Sequence, residues 1–300
     1  IYIRDHFDVG FIQILDENFG SDKKHSYQIA KILNKAGMLW IATGVRCKST
    51  TEDDIKYYQD HGCSALKYGV ESGSQKILDV MEKVFKVSDV YDALDSCIRH
   101  GVYSPAAVMV GMPGETELTA RETGELIGNI ASKLGVHPEI MGFDIFYALP
   151  LPGTPLWEYG EQVGVIGKET EDVIDYLTRV ADAGTYKRYY INLNGAPISE
   201  VLFWEYVVRL EASRVYRKNN TQVLNGNLKE RYIKKWDKMT ASNPRFSLKY
   251  TALKFTFITY FVDKYFVGNR VVDSMPRVVI YPIIKYLLFF EYLVQKMYGH

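Results

Sequence analysis

The chain has 300 residues, 47% of them hydrophobic and 24% charged. That is an ordinary globular composition, long enough for one large domain with an appendage or for two domains. Lysine plus arginine and aspartate plus glutamate both number 36, so no overall field draws the protein to nucleic acid or an acidic surface, and any charged partner has to be met locally. The three cysteines, Cys47, Cys63 and Cys97, are too few and too irregularly placed for a disulfide framework and fit a reducing compartment, with the cytoplasm as the expected location.

Ile1-Tyr2-Ile3-Arg4-Asp5 has no signal-peptide layout, and the chain reads as a fragment that begins inside a longer protein. Apolar runs and helix-period runs then alternate. Phe11 to Leu15 predicts a strand that ends at Asp16-Glu17-Asn18-Phe19, and Tyr27, Ile29, Ala30, Ile32 and Leu33 predict a helix ending at Gly37. Met38 to Val45 is the next strand, closed by Arg46. Thr50-Thr51-Glu52-Asp53-Asp54 supplies an N-cap and first-turn acids for a helix stopping at Gly62. The third strand, Ala65 to Val70, stops at Glu71-Ser72-Gly73-Ser74, where another helix begins. A helix bearing Val90, Leu94, Cys97 and Ile98 ends at Gly101. Ala106 to Val110 forms a fourth strand running into Gly111-Met112-Pro113-Gly114-Glu115-Thr116, and a helix follows to Gly135. Ile140 to Leu149 is expected as the fifth strand, ending in Pro150-Leu151-Pro152-Gly153-Thr154 before a helix around Leu156 to Tyr159.

Five strands alternating with helices predict an α/β fold with a parallel sheet, because parallel neighbours need a crossover, and chemistry in such folds gathers at the carboxyl ends of the strands. Each of these five ends carries glycine, proline or a charged group. Taken singly, these are turn and cap residues; five on one edge point to an active-site rim.

Residues 1–197 are expected to hold this α/β part and residues 198–300 a helical C-terminal region. Val201 to Tyr216 predicts one amphipathic helix. Beyond Asn219 the chain turns aromatic and basic, as in "LKYTALKFTFITYFVDKYF" and "RVVIYPIIKYLLFFEYLVQK". Asp263, Lys285 and Glu291 interrupt the apolar runs short of the roughly 18 residues of a spanning helix. The tail is therefore expected either to pack on the first domain or to make a peripheral membrane contact.

The series "FIQILDENF", "LWIATGVR", "YGVESGSQKIL", "VMVGMPGET" and "LPLPGTPLWE", from about Phe7 to Gly164, resembles the radical S-adenosylmethionine (radical SAM) superfamily, in the branch joined to a cobalamin-binding domain. The resemblance implies a partial (β/α) barrel. It also implies a C-x-x-x-C-x-x-C loop holding a 4Fe–4S cluster, with one iron left to bind the amino and carboxylate groups of SAM. Cys47, Cys63 and Cys97 do not have that spacing, so the cluster ligands and the first β-α unit are expected upstream of Ile1. An electron from the cluster would cleave SAM to methionine and a 5′-deoxyadenosyl radical, for hydrogen abstraction or, with cobalamin, methyl transfer.

By the same resemblance Asp16, Glu17 or Asn18 receives the SAM ammonium group, a suitable task for carboxylates at a low-dielectric barrel mouth. Glu71 and Ser72 hydrogen-bond the ribose hydroxyls or the methionine end, and Gly111, Pro113 and Gly114 shape a turn whose backbone reaches the adenine, with Met109 or Met112 against its face. Arg46 holds a carboxylate of SAM or substrate, or forms a surface salt bridge. Glu115 belongs to this motif, though as a helix-start acid more than a catalyst. Helix capping is the alternative for Asp16 to Asn18 and for Ser72 or Ser74. Cys47 is expected to be a small apolar neighbour, and the six histidines show no metal spacing.

The expected partners are an electron donor and a small-molecule or lipid-like substrate, the latter suited to Phe255, Phe257, Tyr260 and Phe261; no nucleic acid is called for. Two rivals stand beside this reading: a non-catalytic barrel scaffold or binding module that has lost the cluster, and a phosphate-binding (β/α) barrel enzyme.

Overall fold

A computed structural model of the chain describes residues 2–167, 169–180, 190–220 and 270–297. A short helix α1 (Tyr2–Phe7) precedes alternating strands and helices: β1 (Phe11–Ile14), α2 (Lys23–Lys35), β2 (Leu39–Val45), α3 (Glu52–Asp60), β3 (Cys63–Glu71), α4 (Gln75–Val80), α5 (Val87–Arg99), β4 (Ala106–Val110), α6 (Glu117–Leu134), α7 (Pro138–Met141), β5 (Asp144–Tyr147), α8 (Pro155–Gln162) and α9 (Thr170–Val180). The long helix α10 (Ile198–Asn219) follows, then α11 (Arg270–Ser274) and α12 (Arg277–Met297). The aromatic stretch around Phe255 to Phe261 lies outside the described residues.

The five strands pair in the order β1-β2-β3-β4-β5, every pair parallel, and curl into a half-barrel. Burial alternates along them. Trp40, Ala42, Leu66, Tyr68, Val70, Ala106, Val108 and Val110 are buried beneath the helices, while Gln13, Ile41, Lys67, Met109, Asp144 and Phe146 on the other face stay half-buried or exposed. Lys67 crosses to Asp144 and lies over the Phe146 ring, 5.8 Å from its centre.

Local signals place several helix ends. Thr51 caps α3 by accepting from the Asp54 amide while Asp54 accepts from the Thr51 amide; Gly135 closes α6 in the left-handed conformation; Thr154 caps α8 with Pro155 in its first position. The fifth strand is a correction. Ile140 to Phe143 is not strand: Pro138 starts a helical turn capped by His137, and β5 begins only at Asp144. A proline with a preset φ and a capping acceptor before it outweighs the apolar run that suggested an extended chain. Burial also lowers the His137 pKa to about 4, leaving its ring neutral at physiological pH.

Helix α10 is more enclosed than an amphipathic stripe predicts, with Val201, Phe203, Trp204, Tyr206, Val207, Val208, Leu210, Ala212 and Tyr216 all buried. It lies between α6 and α12. On the α6 side the approach depends on two glycines: a Cβ at Gly124 would stand 2.7 Å from Val208 O, and one at Gly128 would stand 2.6 Å from Ala212 O. On the α12 side the fully buried Glu211 accepts from Arg277 Nε at 2.9 Å and from the Tyr281 hydroxyl at 2.6 Å, pairing that holds the carboxyl below its usual range against the opposing effect of burial. Replacing Gly128 by Val is expected to force α10 off α6 and destabilise the fold by about 1–3 kcal/mol or more, measured by urea denaturation; an unchanged midpoint would show that the helices can separate at no cost.

Candidate functional site

Parallel pairing puts the carboxyl ends of all five strands on one edge, so the loops beginning at Asp16, Arg46, Glu71, Gly111 and Ala148 leave from the same side of the sheet. After β1, the Asp16 carboxylate accepts from the Asn18 amide at 3.0 Å, an Asx-type turn. Asp16 and Glu17 are exposed. Asn18 Oδ1 is buried and finds no hydrogen-bond partner among the described residues. The loop lies against the end of β2 at Gly44, whose positive φ of 71° and close approach both demand glycine, since a Cβ there would fall 1.9 Å from Asp16 O. Arg46 follows, exposed.

Glu71 closes β3 with φ of 64°, a left-handed conformation rare for a residue with a side chain. The ladder to β4 slips between Gly69 and Glu71, and the bulge re-aims the carboxylate, which meets Lys83 Nζ at 3.0 Å. A non-glycine residue held here costs on the order of 1–3 kcal/mol, and such strain gathers at ligand sites. Ser72 is fully buried, its hydroxyl paired with Thr123 Oγ1 at 3.1 Å and accepting from the Ser74 amide at 3.1 Å. Ser74 stands at the N-cap of α4, but its side chain makes no capping bond.

The turn after β4 is braced from below. Glu115, 3% exposed, is not a helix-start acid: Thr116 is the N-cap of α6, and the Glu115 carboxylate instead accepts from the Gly111 and Met112 amides. Burial pushes its pKa up to about 8, the two amide donors pulling the other way. From the far side the Tyr190 hydroxyl donates to Gly111 O at 2.8 Å, and Asn194 Nδ2 donates to Met112 O at 2.7 Å and Glu115 O at 3.1 Å. Gly111 has a φ of 90°, and a Cβ there would collide with the Tyr190 hydroxyl at 2.3 Å. Pro113 and Gly114 complete the turn, and Met112 is buried against Ile77 and Ala148. The edge thus presents the backbone of this turn, the strained carboxylate of Glu71, and the exposed acids of the β1 loop.

Sequence reasoning found the five turns but missed Lys83, Thr123, Tyr190 and Asn194. Their roles depend on contacts 12 to 82 residues away; a buried glycine-bearing turn needs donors from somewhere, but nothing local says where.

A metal cluster does not fit the described residues. Among the described residues no group of three or more His, Cys, Asp or Glu could hold a metal ion. The three thiols are free and buried, Cys47 and Cys63 with pKa values pushed up to about 12 and Cys97 to about 11, chiefly by burial, the reverse of what thiolate ligands need. The strand edge does fit a small ligand carrying a cation and hydrogen-bonding hydroxyls, with exposed carboxylates and an orphaned buried acceptor at Asn18.

A parallel half-barrel whose polar and glycine-bearing turns share its carboxyl edge is an α/β barrel of the kind that binds ligands at that edge. Residues 4–127, a region that runs from α1 into α6, match the Radical SAM superfamily. The chain is 30% identical over 158 residues to an uncharacterized methyltransferase of Pyrococcus horikoshii, covering 51% of this chain and 32% of that one. It is 32% identical over 109 residues to a tRNA-2-methylthio-N(6)-dimethylallyladenosine synthase of Buchnera aphidicola, covering 35% and 23%. The alignments thus span about a third or less of those relatives' length. Among solved structures it is similar to the radical S-adenosylmethionine methyltransferase TsrM from Kitasatospora setae with cobalamin and [4Fe-4S] cluster bound, at 14% identity and a TM-score of 0.47, covering 56% of this chain and 33% of that one.

Because Glu115 has a higher pKa folded than unfolded, the folded state holds its proton across the window from 4.5 to about 8, where the unfolded chain has released it. Stability from this group is therefore greatest below pH 4.5, falls as pH rises, by up to about 1.4 kcal/mol per unit, and levels off above pH 8. Glu115→Gln is expected to flatten that slope in urea midpoints measured at pH 5, 6.5 and 8.

Proposed function

We propose that this chain is the SAM-binding part of the catalytic barrel of a radical SAM enzyme, longer than these 300 residues. One observation carries it. The loops holding Asp16, Glu71 and Gly111 leave one edge of one parallel sheet, within or beside the region that matches the superfamily.

In this reading Asp16 and Glu17 receive the ammonium group of SAM, with the unpartnered Asn18 Oδ1 as a further acceptor. The Glu71 carboxylate, steadied by Lys83, accepts from the ribose hydroxyls. Ser72, committed to Thr123 and the Ser74 amide, supports the turn behind Glu71. The Gly111 to Gly114 backbone lies along the adenine, held in place by Glu115, Tyr190 and Asn194, and Arg46 is free at the surface to take a carboxylate of SAM or substrate. The superfamily's 4Fe–4S cluster supplies the electron that cleaves SAM; its ligands would come from outside these residues, together with an external electron donor, and this part alone would be inactive. The half-barrel's contribution is to orient SAM and exclude water. Of the two outcomes, methyl transfer draws support from the description of the Pyrococcus relative; cobalamin would then sit in a preceding domain.

The test is SAM titration of the full-length protein, reconstituted anaerobically with iron and sulfide, followed by an assay for 5′-deoxyadenosine. Binding and release are expected, with SAM affinity reduced about 10- to 100-fold in Asp16→Asn/Glu17→Gln, the range for losing hydrogen bonds to a charged group. No SAM binding by the intact protein would support the phosphate-enzyme reading, and binding without 5′-deoxyadenosine the scaffold reading.

A further inference from the structure

Helix α12 is apolar on two sides. Its inner stripe, Ile280, Tyr281, Ile284 and Leu288, is buried, with the Tyr281 ring edge-on to Phe203 of α10 at 5.4 Å. Its outer stripe, Val279, Pro282, Ile283, Tyr286, Phe289 and Phe290, falls at i, i+3, i+4, i+7, i+10 and i+11 and is exposed, Tyr286 by 74% and Phe290 by 61%. A water-facing helix surface is ordinarily polar; large contiguous apolar patches mark contact sites.

We propose that this outer face of α12 docks on the surface of an anionic lipid bilayer, an interaction beyond the chemistry of the barrel and independent of it. Charge selects this occupant. Residues 221–300 hold 13 of the 36 lysines and arginines but only 5 of the 36 acids, a net charge of +8 on a chain whose total is zero. Beside the stripe itself Lys285 is about half exposed although paired with Glu200, while Arg277 turns inward to Glu211. Aromatic and aliphatic groups bordered by basic side chains form the pattern of a helix lying in the headgroup region, where ring faces enter the acyl boundary and cations meet anionic lipid. Depth is limited: no described helix is long and apolar enough to cross a membrane, so α12 lies on the bilayer. Nucleic acid would want a polar, cation-lined face rather than Ile283 and Phe290.

The experiment is co-sedimentation of the full chain with phosphatidylcholine vesicles and with vesicles containing phosphatidylglycerol. Wild type is expected to partition at least about 10-fold more strongly onto the anionic vesicles, less so at high salt. Tyr286→Glu/Phe290→Glu, which alters only exposed positions, should lower that partition about 10-fold or more with an unchanged thermal melt. Equal partition of variant and wild type overturns the proposal. So does a wild type that ignores both vesicles, including one that instead binds single-stranded RNA or forms a dimer that the variant dissolves. If the double variant melts early, Val279→Ser/Ile283→Ser serves as the second reading of the same face, with the same outcomes.

Discussion

The parallel pairing of five strands is the constraint on which everything else rests. A parallel neighbour can be reached only by carrying the chain back across the sheet, so each strand from β1 to β4 is followed by a helical return element. The direction of each strand is then fixed, and so is the edge at which each one ends. Turns that are scattered in sequence, beginning at Asp16, Arg46, Glu71 and Gly111, come to one rim through that pairing. The chemistry of the rim is secondary to that geometry, because side chains such as Glu71 and Glu115 act on positions the ladder has already set.

Much of this was legible in the sequence, and the reasons are physical. Ala106 to Val110 is buried on alternate positions of a central strand and reads as strand because nothing but apolar side chains suits both neighbours. Thr51, Gly135 and Thr154 mark helix ends because capping is decided within four residues. Local signals fail where two of them compete, as before β5. There the apolar run Ile140 to Phe143 suggested extension, but the His137-Pro138 start won. They also fail where a residue's task is set by distant contacts. Glu115 looked like a helix-start acid, yet its carboxylate is drawn back under the turn, where it accepts from the Gly111 and Met112 amides. The turns at the strand ends were readable; the groups that brace them, Tyr190, Asn194 and Thr123, were not.

The packing of α10 shows how the C-terminal part is fixed to the sheet's helical layer. Two glycines of α6 remove the side chains that would separate the helices, and the gain is close apolar contact along Val208, Ala212 and Val215. On its other side a buried carboxylate, Glu211, is matched by Arg277 and Tyr281. An unpaired charge there would be strongly destabilising, so the pairing fixes which face of α12 turns inward. The face that remains outward is the one bearing Tyr286 and Phe290.

The hydrogen bonds from Tyr190 and Asn194 span 79 and 82 positions back to Gly111 and Met112. During synthesis the barrel strands therefore emerge well before the groups that lock their fourth turn. Until the chain has been made through Asn194, the carbonyls of Gly111, Met112 and Glu115 lack these three donors, and Gly111 is free of the ring that later crowds it. This portion of the rim is braced by residues that follow all five strands in the chain and belong to none of them.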